Sequence, residues 1–184
     1  MPTQNVAHRG DRYTRTAVAL HWLLALMIVG ALGLGVYMTN LPLSPQRLKL
    51  TNWHKWAGMT ILVLSALRLL WRLGHRPPTD LPMPAWQRQA AHLTHALMYA
   101  LFFAVPLAGW CYSSAAGYPV VWFGVLPLPD LVTPDRALAA TLKSLHGWLA
   151  GTLAVAVLVH IAAALKHQFI DRDGLLRRMR LTWQ

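Results

Sequence analysis

The stretch SLHGWLAGTLAVAVLVHIAAALK, residues 144–166, decides the fold. It contains no acidic residue, and its one basic residue of the Lys/Arg type is Lys166 at the very end. An α-helix rises about 1.5 Å per residue, so about 20 apolar residues cross the hydrocarbon core of a bilayer. This stretch is therefore predicted to be a transmembrane helix.

Three further stretches have the same length and character, residues 16–38, 53–73 and 91–115. A helix satisfies its own backbone groups in lipid, which a lone strand cannot do. The first stretch ends without a small-residue cleavage site, so we expect a retained helix and no signal peptide. The chain is predicted to be an all-α, integral membrane four-helix bundle, with residues 1–184 forming a single membrane domain.

The composition agrees with a membrane protein. Hydrophobic residues make up 55% of the chain and charged residues only 12%, with a mean hydropathy of +0.37. The net charge of +11 is spread in short clusters between apolar runs, so we expect membrane lipid rather than nucleic acid as the partner. The single cysteine, Cys111, excludes a disulfide within the chain, covalent haem attachment and an iron–sulfur cluster. Histidines must therefore hold any metal.

Four histidines fall into two pairs by depth. His146 and His160 are fourteen residues apart, close to four helical turns, so they share one helix face about 21 Å apart along the axis. His21 lies at the level of His160, and His54 lies at the level of His146. The sequence thus predicts one pair of imidazoles near each membrane surface.

Two facing imidazoles in an apolar bundle form the axial ligand set of a six-coordinate haem, which favours electron transfer. Zinc would need a third or fourth ligand at each level. A single membrane histidine can simply hydrogen-bond a neighbouring helix, but four at matching depths favour haem. Gly58, Gly147 and Gly151 suit the close approach of a flat macrocycle, and ordinary helix packing explains them as well.

Lysines and arginines predict the orientation, because cytoplasmic flanks are enriched in them. Twelve lie on the side of both termini and the second linker: Arg9, Arg12, Arg15, Arg68, Arg72, Arg76, Arg88, Lys166, Arg172, Arg177, Arg178 and Arg180. The other side has five: Arg47, Lys49, Lys55, Arg136 and Lys143. Both termini are therefore predicted to be cytoplasmic, and the His54–His146 level to be periplasmic.

Several motifs together resemble the prokaryotic cytochrome b561 family over almost the whole chain. They are Arg12-Tyr13-Thr14-Arg15 before His21-Trp22, His54-x3-Gly58 before Arg68-Leu69-Leu70-Trp71-Arg72 and Pro77-Pro78, Ala91-His92-x2-His95 with Pro106-x2-Gly109, and Lys143-x2-His146 running to His160-Ile161-Ala162-Ala163-Ala164. The resemblance implies two haems b, ligated by His21 with His160 and by His54 with His146. The family is related to the di-haem membrane subunits of hydrogenases and formate dehydrogenases.

The resemblance also implies an activity in the bacterial inner membrane. One member of the family is a superoxide:ubiquinone oxidoreductase, which takes electrons from periplasmic superoxide and passes them to quinone near the cytoplasmic side. We therefore expect electron transfer from a periplasmic reactant, specifically superoxide, to ubiquinone. The alternative is a relay or anchor cytochrome b that passes electrons between quinol and a partner redox protein.

Six other residues are candidates for supporting roles. In the family, a position such as His167 lies near the quinone, although a histidine at the membrane interface can equally be solvated. His95 is a candidate for contact with the inner haem or the quinone. Lys55 and Lys143, together with Arg47 and Lys49, form a cationic rim that would steer a small anion, unless they are ordinary linker charges.

The charge distribution makes a prediction about topology. Reporter fusions after Gln184 and within Asp80 to Trp86 should read cytoplasmic, and a fusion near Thr133 should read periplasmic, because positively charged flanks stay inside. Paired alkaline phosphatase and fluorescent protein fusions measure this. A periplasmic reading after Gln184 would contradict the charge count.

Overall fold

Four long helices build the chain in a computed structural model that describes residues 12–180, which leaves Arg9 outside. They are α1 (Arg15–Thr39), α2 (Pro45–Gly74), α3 (Ala85–Ala115) and α4 (Arg136–Lys166). Each is long and apolar enough to cross a membrane. The predicted all-α fold with four membrane-spanning helices is confirmed.

The predicted helix starts were wrong for α2, α3 and α4, which begin six to eight residues earlier than their apolar stretches. Ser44 caps α2 by accepting the Arg47 N–H, and Pro45 occupies the first turn, where its missing N–H costs nothing. Asp135 caps α4 by accepting the Leu138 N–H. Apolar periodicity marks only the part of a helix that lies in lipid, whereas polar caps mark where the helix begins.

The linker between α3 and α4 contains a short antiparallel hairpin. Strands β1 (Val121–Trp122) and β2 (Leu126–Pro127) pair, and the turn between them places Phe123 and Gly124 in the left-handed region, which glycine adopts without strain. We call this end of the bundle the hairpin end. The opposite end, where α1 begins and α4 finishes, is the terminal end.

Indole N–H groups tie the hairpin linker to the helices. Trp56 donates to the Val121 carbonyl at 2.7 Å, and Trp110 donates to the Pro129 carbonyl at 3.1 Å. Trp122 of the hairpin donates to the Thr60 hydroxyl at 3.3 Å. These bonds hold the linker against the ends of α2 and α3.

Beyond α4 the chain turns back across the terminal end. A π-helical turn (His167–Asp171) is followed by left-handed backbone at Arg172 and Gly174 and by a 3₁₀ turn (Leu175–Met179). The Met179 carbonyl accepts the Trp22 indole N–H at 2.9 Å, and Arg178 donates to the Thr79 carbonyl at 2.7 Å. The segment after α4 is thereby attached to α1 and to the linker between α2 and α3.

The buried core lies between the two levels of paired histidines. Its residues come from all four helices: Leu24, Ile28, Ile61, Met98, Leu101, Phe102, Leu153 and Ala156. In α4, for example, Leu153 and Ala156 fall between His146 and His160. The outward faces are apolar and exposed, as in Leu26 (73% exposed) and Trp148 (79% exposed), which suits contact with lipid.

Candidate functional site

Both predicted histidine pairs meet in the structure. The ring centres of His54 (α2) and His146 (α4) are 6.1 Å apart, and those of His21 (α1) and His160 (α4) are 6.2 Å apart. A metal ion with an imidazole bond of about 2 Å on either side holds two ring centres about 6 Å apart. Each pair is therefore spaced to hold one ion between its rings.

The surroundings of the pair at the hairpin end fit an apolar prosthetic group. A cavity of about 60 Å³ reaches both His54 and His146. Its other lining residues are all apolar: Ile28, Ala31, Leu32, Gly58, Ile61, Leu101, Phe102, Val105, Pro106, Ala150 and Leu153. Apart from the imidazoles, this lining offers a ligand no polar side chain, so His54 and His146 would hold a haem among hydrocarbon side chains.

Helix α3 fixes the orientation of the His146 ring. The Nδ1 atom of His146 donates to the Val105 carbonyl at 2.9 Å, because a carbonyl can only accept. This bond leaves the Nε2 atom with its lone pair, the form in which an imidazole binds metal. One turn further along α3, Gly109 makes room for the ring, since a Cβ there would lie 3.0 Å from the His146 Cε1 atom.

The other rings are half-buried and less fully paired. A Cβ at Gly35 of α1 would lie 3.2 Å from the Cε1 atom of His54. The Nδ1 atoms of His21 and His54 are buried without a hydrogen-bond partner among the described residues. Buried polar nitrogens are normally paired, so unpaired ones on facing imidazoles fit rings that bind a further group.

Most of the other histidines lie at the terminal end. The His95 ring is 5.3 Å from the His160 ring, so His95 lies beside the pair of the terminal end, and its contact with a haem or a quinone stays a prediction. His92 lies 3.0 Å from Asp80, and His75 stacks on Trp71, so these two are engaged elsewhere. His167 faces the carboxylate of Asp173, with Nδ1 to Oδ2 at 2.5 Å.

The family follows from the sequence of the whole bundle. Residues 12–181 match the sequence model described as prokaryotic cytochrome b561. The chain belongs to this family. It is therefore a haem-binding membrane protein of electron transport, which agrees with the fit of the histidine pairs to haem.

Curated relatives match over nearly their full length. Cytochrome b561 homolog 2 of Escherichia coli (strain K12) is 35% identical over 171 residues, which cover 92% of this chain and 91% of the relative. Cytochrome b561 homolog 1 of the same strain is 31% identical over 175 residues, covering 92% and 97%. A protein of Yersinia pestis named probable superoxide oxidase CybB is 31% identical over 170 residues, covering 91% and 95%.

The four cations of the predicted rim of this cytochrome b561 each make a different contact. Lys55 donates to the Tyr118 carbonyl at 3.0 Å, so its ammonium is attached to the hairpin linker. Arg47 donates to the Leu41 carbonyl, and the Lys49 ammonium lies 5.0 Å from the centre of the Trp53 ring. Lys143 instead lines a cavity of about 510 Å³ between α3 and α4, which it shares with Arg136.

Sequence reasoning missed the role of α3 and of two glycines beside the ligand rings. A Cβ at Gly147 or Gly151 would meet no protein atom within 4 Å, and at Gly58 only a carbon of Pro106 at 4.0 Å. The close approaches to the histidine rings are instead at Gly35 and Gly109. The spacing Pro106-x2-Gly109 was the available signal, since it puts a glycine one turn after Val105.

The contact at Gly109 gives a test of the site. Gly109→Ala should displace the His146 ring, because the ring is held against this glycine by its bond to Val105. The haem content per chain, measured as pyridine haemochrome, should fall towards half of the wild-type value. Gly33→Ala is the matched control, since a Cβ at Gly33 meets nothing within 4 Å. Equal haem content in both variants would contradict a role for Gly109 in placing the ring.

Proposed function

We propose that this cytochrome b561 holds two haems b and moves electrons between a periplasmic reactant and the quinone pool. His54 and His146 would hold one haem, and His21 and His160 the other. The observation that supports this proposal most directly is the geometry of the two pairs. Each has ring centres about 6 Å apart, and the pairs lie at opposite ends of one bundle. Bound haem supplies a reversible one-electron change at iron.

The protein residues favour electron transfer over binding of a gas at iron. Each haem would be held by two histidines from different helices, which would leave the iron no open position for a gas. His146 and His160 belong to one continuous helix and are about 21 Å apart along its axis, with buried core residues such as Leu153 between them. This packing keeps the two sites separate and excludes water from the space between them.

Superoxide is the proposed electron donor, and ubiquinone is the proposed acceptor. We place the hairpin end in the periplasm and both termini in the cytoplasm of the inner membrane, on the basis of the charge count. Superoxide gives up one electron and leaves as oxygen, so its oxidation needs no proton. The relative named probable superoxide oxidase supports this choice of donor.

Quinone reduction places different demands on the terminal end. Two superoxide ions supply the two electrons, and two protons from the cytoplasm complete the conversion of quinone to quinol. Groups that carry protons are therefore needed beside the inner haem. His95 lies next to His160, and His167 follows His160 by two turns, directly after the end of α4, so these two are our candidates for contact with the quinone.

The alternative is a relay or anchor cytochrome b that passes electrons between quinol and a partner redox protein. The exposed apolar side chains of the hairpin favour it, with Val125 83% exposed and Phe123 58% exposed. Such a surface suits a partner protein or the membrane interface. Stopped-flow mixing of the oxidised purified protein with superoxide discriminates, because a relay without its partner should not be reduced quickly.

Haem stoichiometry tests the pairing. The purified protein should contain two haems b per chain with a low-spin spectrum, because each level offers two imidazoles. His146→Ala should remove only the haem of the hairpin end, and His160→Ala only that of the terminal end, since the sites lie about 21 Å apart. Redox titration followed in the visible spectrum separates the two haems. One haem per chain, or a high-spin wild-type protein, would overturn the pairing.

Rates of haem reduction test whether superoxide is the donor, because an anionic donor should be attracted by the positive charges of the hairpin end. Lys143→Glu and Lys55→Glu should slow haem reduction by superoxide, and so should salt, because the Debye length falls from about 10 Å at 0.1 M to about 3 Å at 1 M. Reduction by a quinol at the other end should not change. Arg177→Glu, the same charge change at the terminal end, is the matched control. Unchanged superoxide rates in both lysine variants would favour the relay function.

A further inference from the structure

The turn after α4 folds a carboxylate back onto His167. Left-handed backbone at Arg172 and Gly174 reverses the chain, which brings the Asp173 Oδ2 atom to 2.5 Å from the Nδ1 atom of His167. The other oxygen of Asp173 accepts the Leu175 N–H at 3.0 Å. Both oxygens are thus engaged, and the carboxylate has a fixed direction.

This contact decides which nitrogen of His167 carries the proton. An ionised carboxylate only accepts hydrogen bonds, so the Nδ1 atom is the donor in the neutral ring. The Nε2 atom is then the one that gains and releases a second proton. The side chain of His167 is only 13% exposed, whereas that of Asp173 is 23% exposed. The pair therefore joins a nearly buried imidazole to a carboxylate that still reaches water.

A metal ion is the competing occupant of this cluster. Ligand atoms of His167, Asp171 and Asp173 lie within 4.8 Å of one another. However, the Lys166 ammonium lies 2.5 Å from the Asp171 Oδ2 atom and already supplies a positive charge there. The Asp171 carboxylate lies farther from His167 than that of Asp173, at 3.3 Å. Lys166 offsets one of the two carboxylate charges, and a protonated His167 offsets the other, so the arrangement favours handling of a proton over binding of a cation.

We propose that Asp173 is a positioning residue that holds His167 as the proton donor for quinone reduction, an inference that rests on the proposed function. The Nε2 atom of protonated His167 would give its proton to a quinone oxygen. His167 follows His160 by two turns, about 10 Å, and the haem that His160 would hold supplies the electrons. Asp173 stabilises the imidazolium before transfer, and water in the cytoplasm restores the proton. Two such transfers and two electrons convert one quinone to quinol.

The tautomer of His167 gives a readout that does not depend on activity. In Asp173→Asn, the side-chain oxygen can keep its hydrogen bond from the Leu175 N–H. The amide NH₂ then faces the Nδ1 atom of His167, which must accept a hydrogen bond from it. The proton of the neutral ring should therefore move to Nε2. Nitrogen-15 NMR of histidine-labelled protein, in samples that contain haem, reports which nitrogen is protonated. The same tautomer in wild type and variant would overturn the inference.

A matched control is available in the other histidine–carboxylate contact of the terminal end. His92 and Asp80 lie 3.0 Å apart, but their side chains are 64% and 50% exposed, so water can replace that contact. Asp80→Asn should change neither the His167 resonances nor the kinetics. Titration with zinc or manganese ions should also leave the His167 resonances in place, and stoichiometric binding at this cluster would overturn the proposal in favour of a metal site.

Kinetics complete the test. Reoxidation of reduced haem by a soluble ubiquinone analogue should be on the order of 10-fold slower in Asp173→Asn, as for other partners that orient a functional histidine, and Asp173→Glu should restore part of the rate. Haem reduction by superoxide should not change. A wild-type rate in Asp173→Asn would overturn only the proposed role of Asp173 and would leave the proposed function standing. Failure of quinone to reoxidise the wild-type protein would overturn the proposed function, and this inference with it.

Discussion

The constraint on which the structure depends is the absence of hydrogen-bond partners in hydrocarbon. It requires helices, because only they satisfy the backbone within one segment, and it makes every buried imidazole costly unless the ring has a partner. His146 meets the requirement through the Val105 carbonyl, and its ring faces His54. His21 and His54 each keep a buried nitrogen without a partner among residues 12–180. The proposed ligation of haem would supply these rings with the missing partner.

The four helices contribute unequally to this arrangement. Helix α4 supplies one ring to each level, because fourteen residues bring the same face back after nearly four turns. Helices α1 and α2 supply one partner each, His21 and His54. Helix α3 supplies neither partner, but it carries the acceptor at Val105 and the space at Gly109. A helix that contributes no paired histidine thus controls the direction of the His146 ring.

The sequence predicted what depends on periodicity within one helix and missed what depends on how helices cross. The four apolar stretches and the matching depths of the histidines follow from the rise per residue, so the fold and the meeting of the pairs were predictable. The early start of α4 depends on the cap at Asp135, which lies outside the apolar pattern. The close approaches at Gly35 and Gly109 depend on distances between helices, which no spacing within one helix specifies. The hairpin and the returning segment after α4 depend on left-handed turns and long-range hydrogen bonds.

The two ends of the bundle differ in their capacity to carry protons, and this difference supports the direction of the proposed reaction. At the hairpin end the described histidines are the paired His54 and His146 alone, and the linker above them is held by indoles that donate to carbonyls. At the terminal end His95 adjoins His160, and His167 is held by a carboxylate. A donor that gives up one electron without a proton suits the first end. A carrier that takes up two electrons and two protons needs the second, because proton transfer to a substrate within the membrane requires titratable groups that connect it to water.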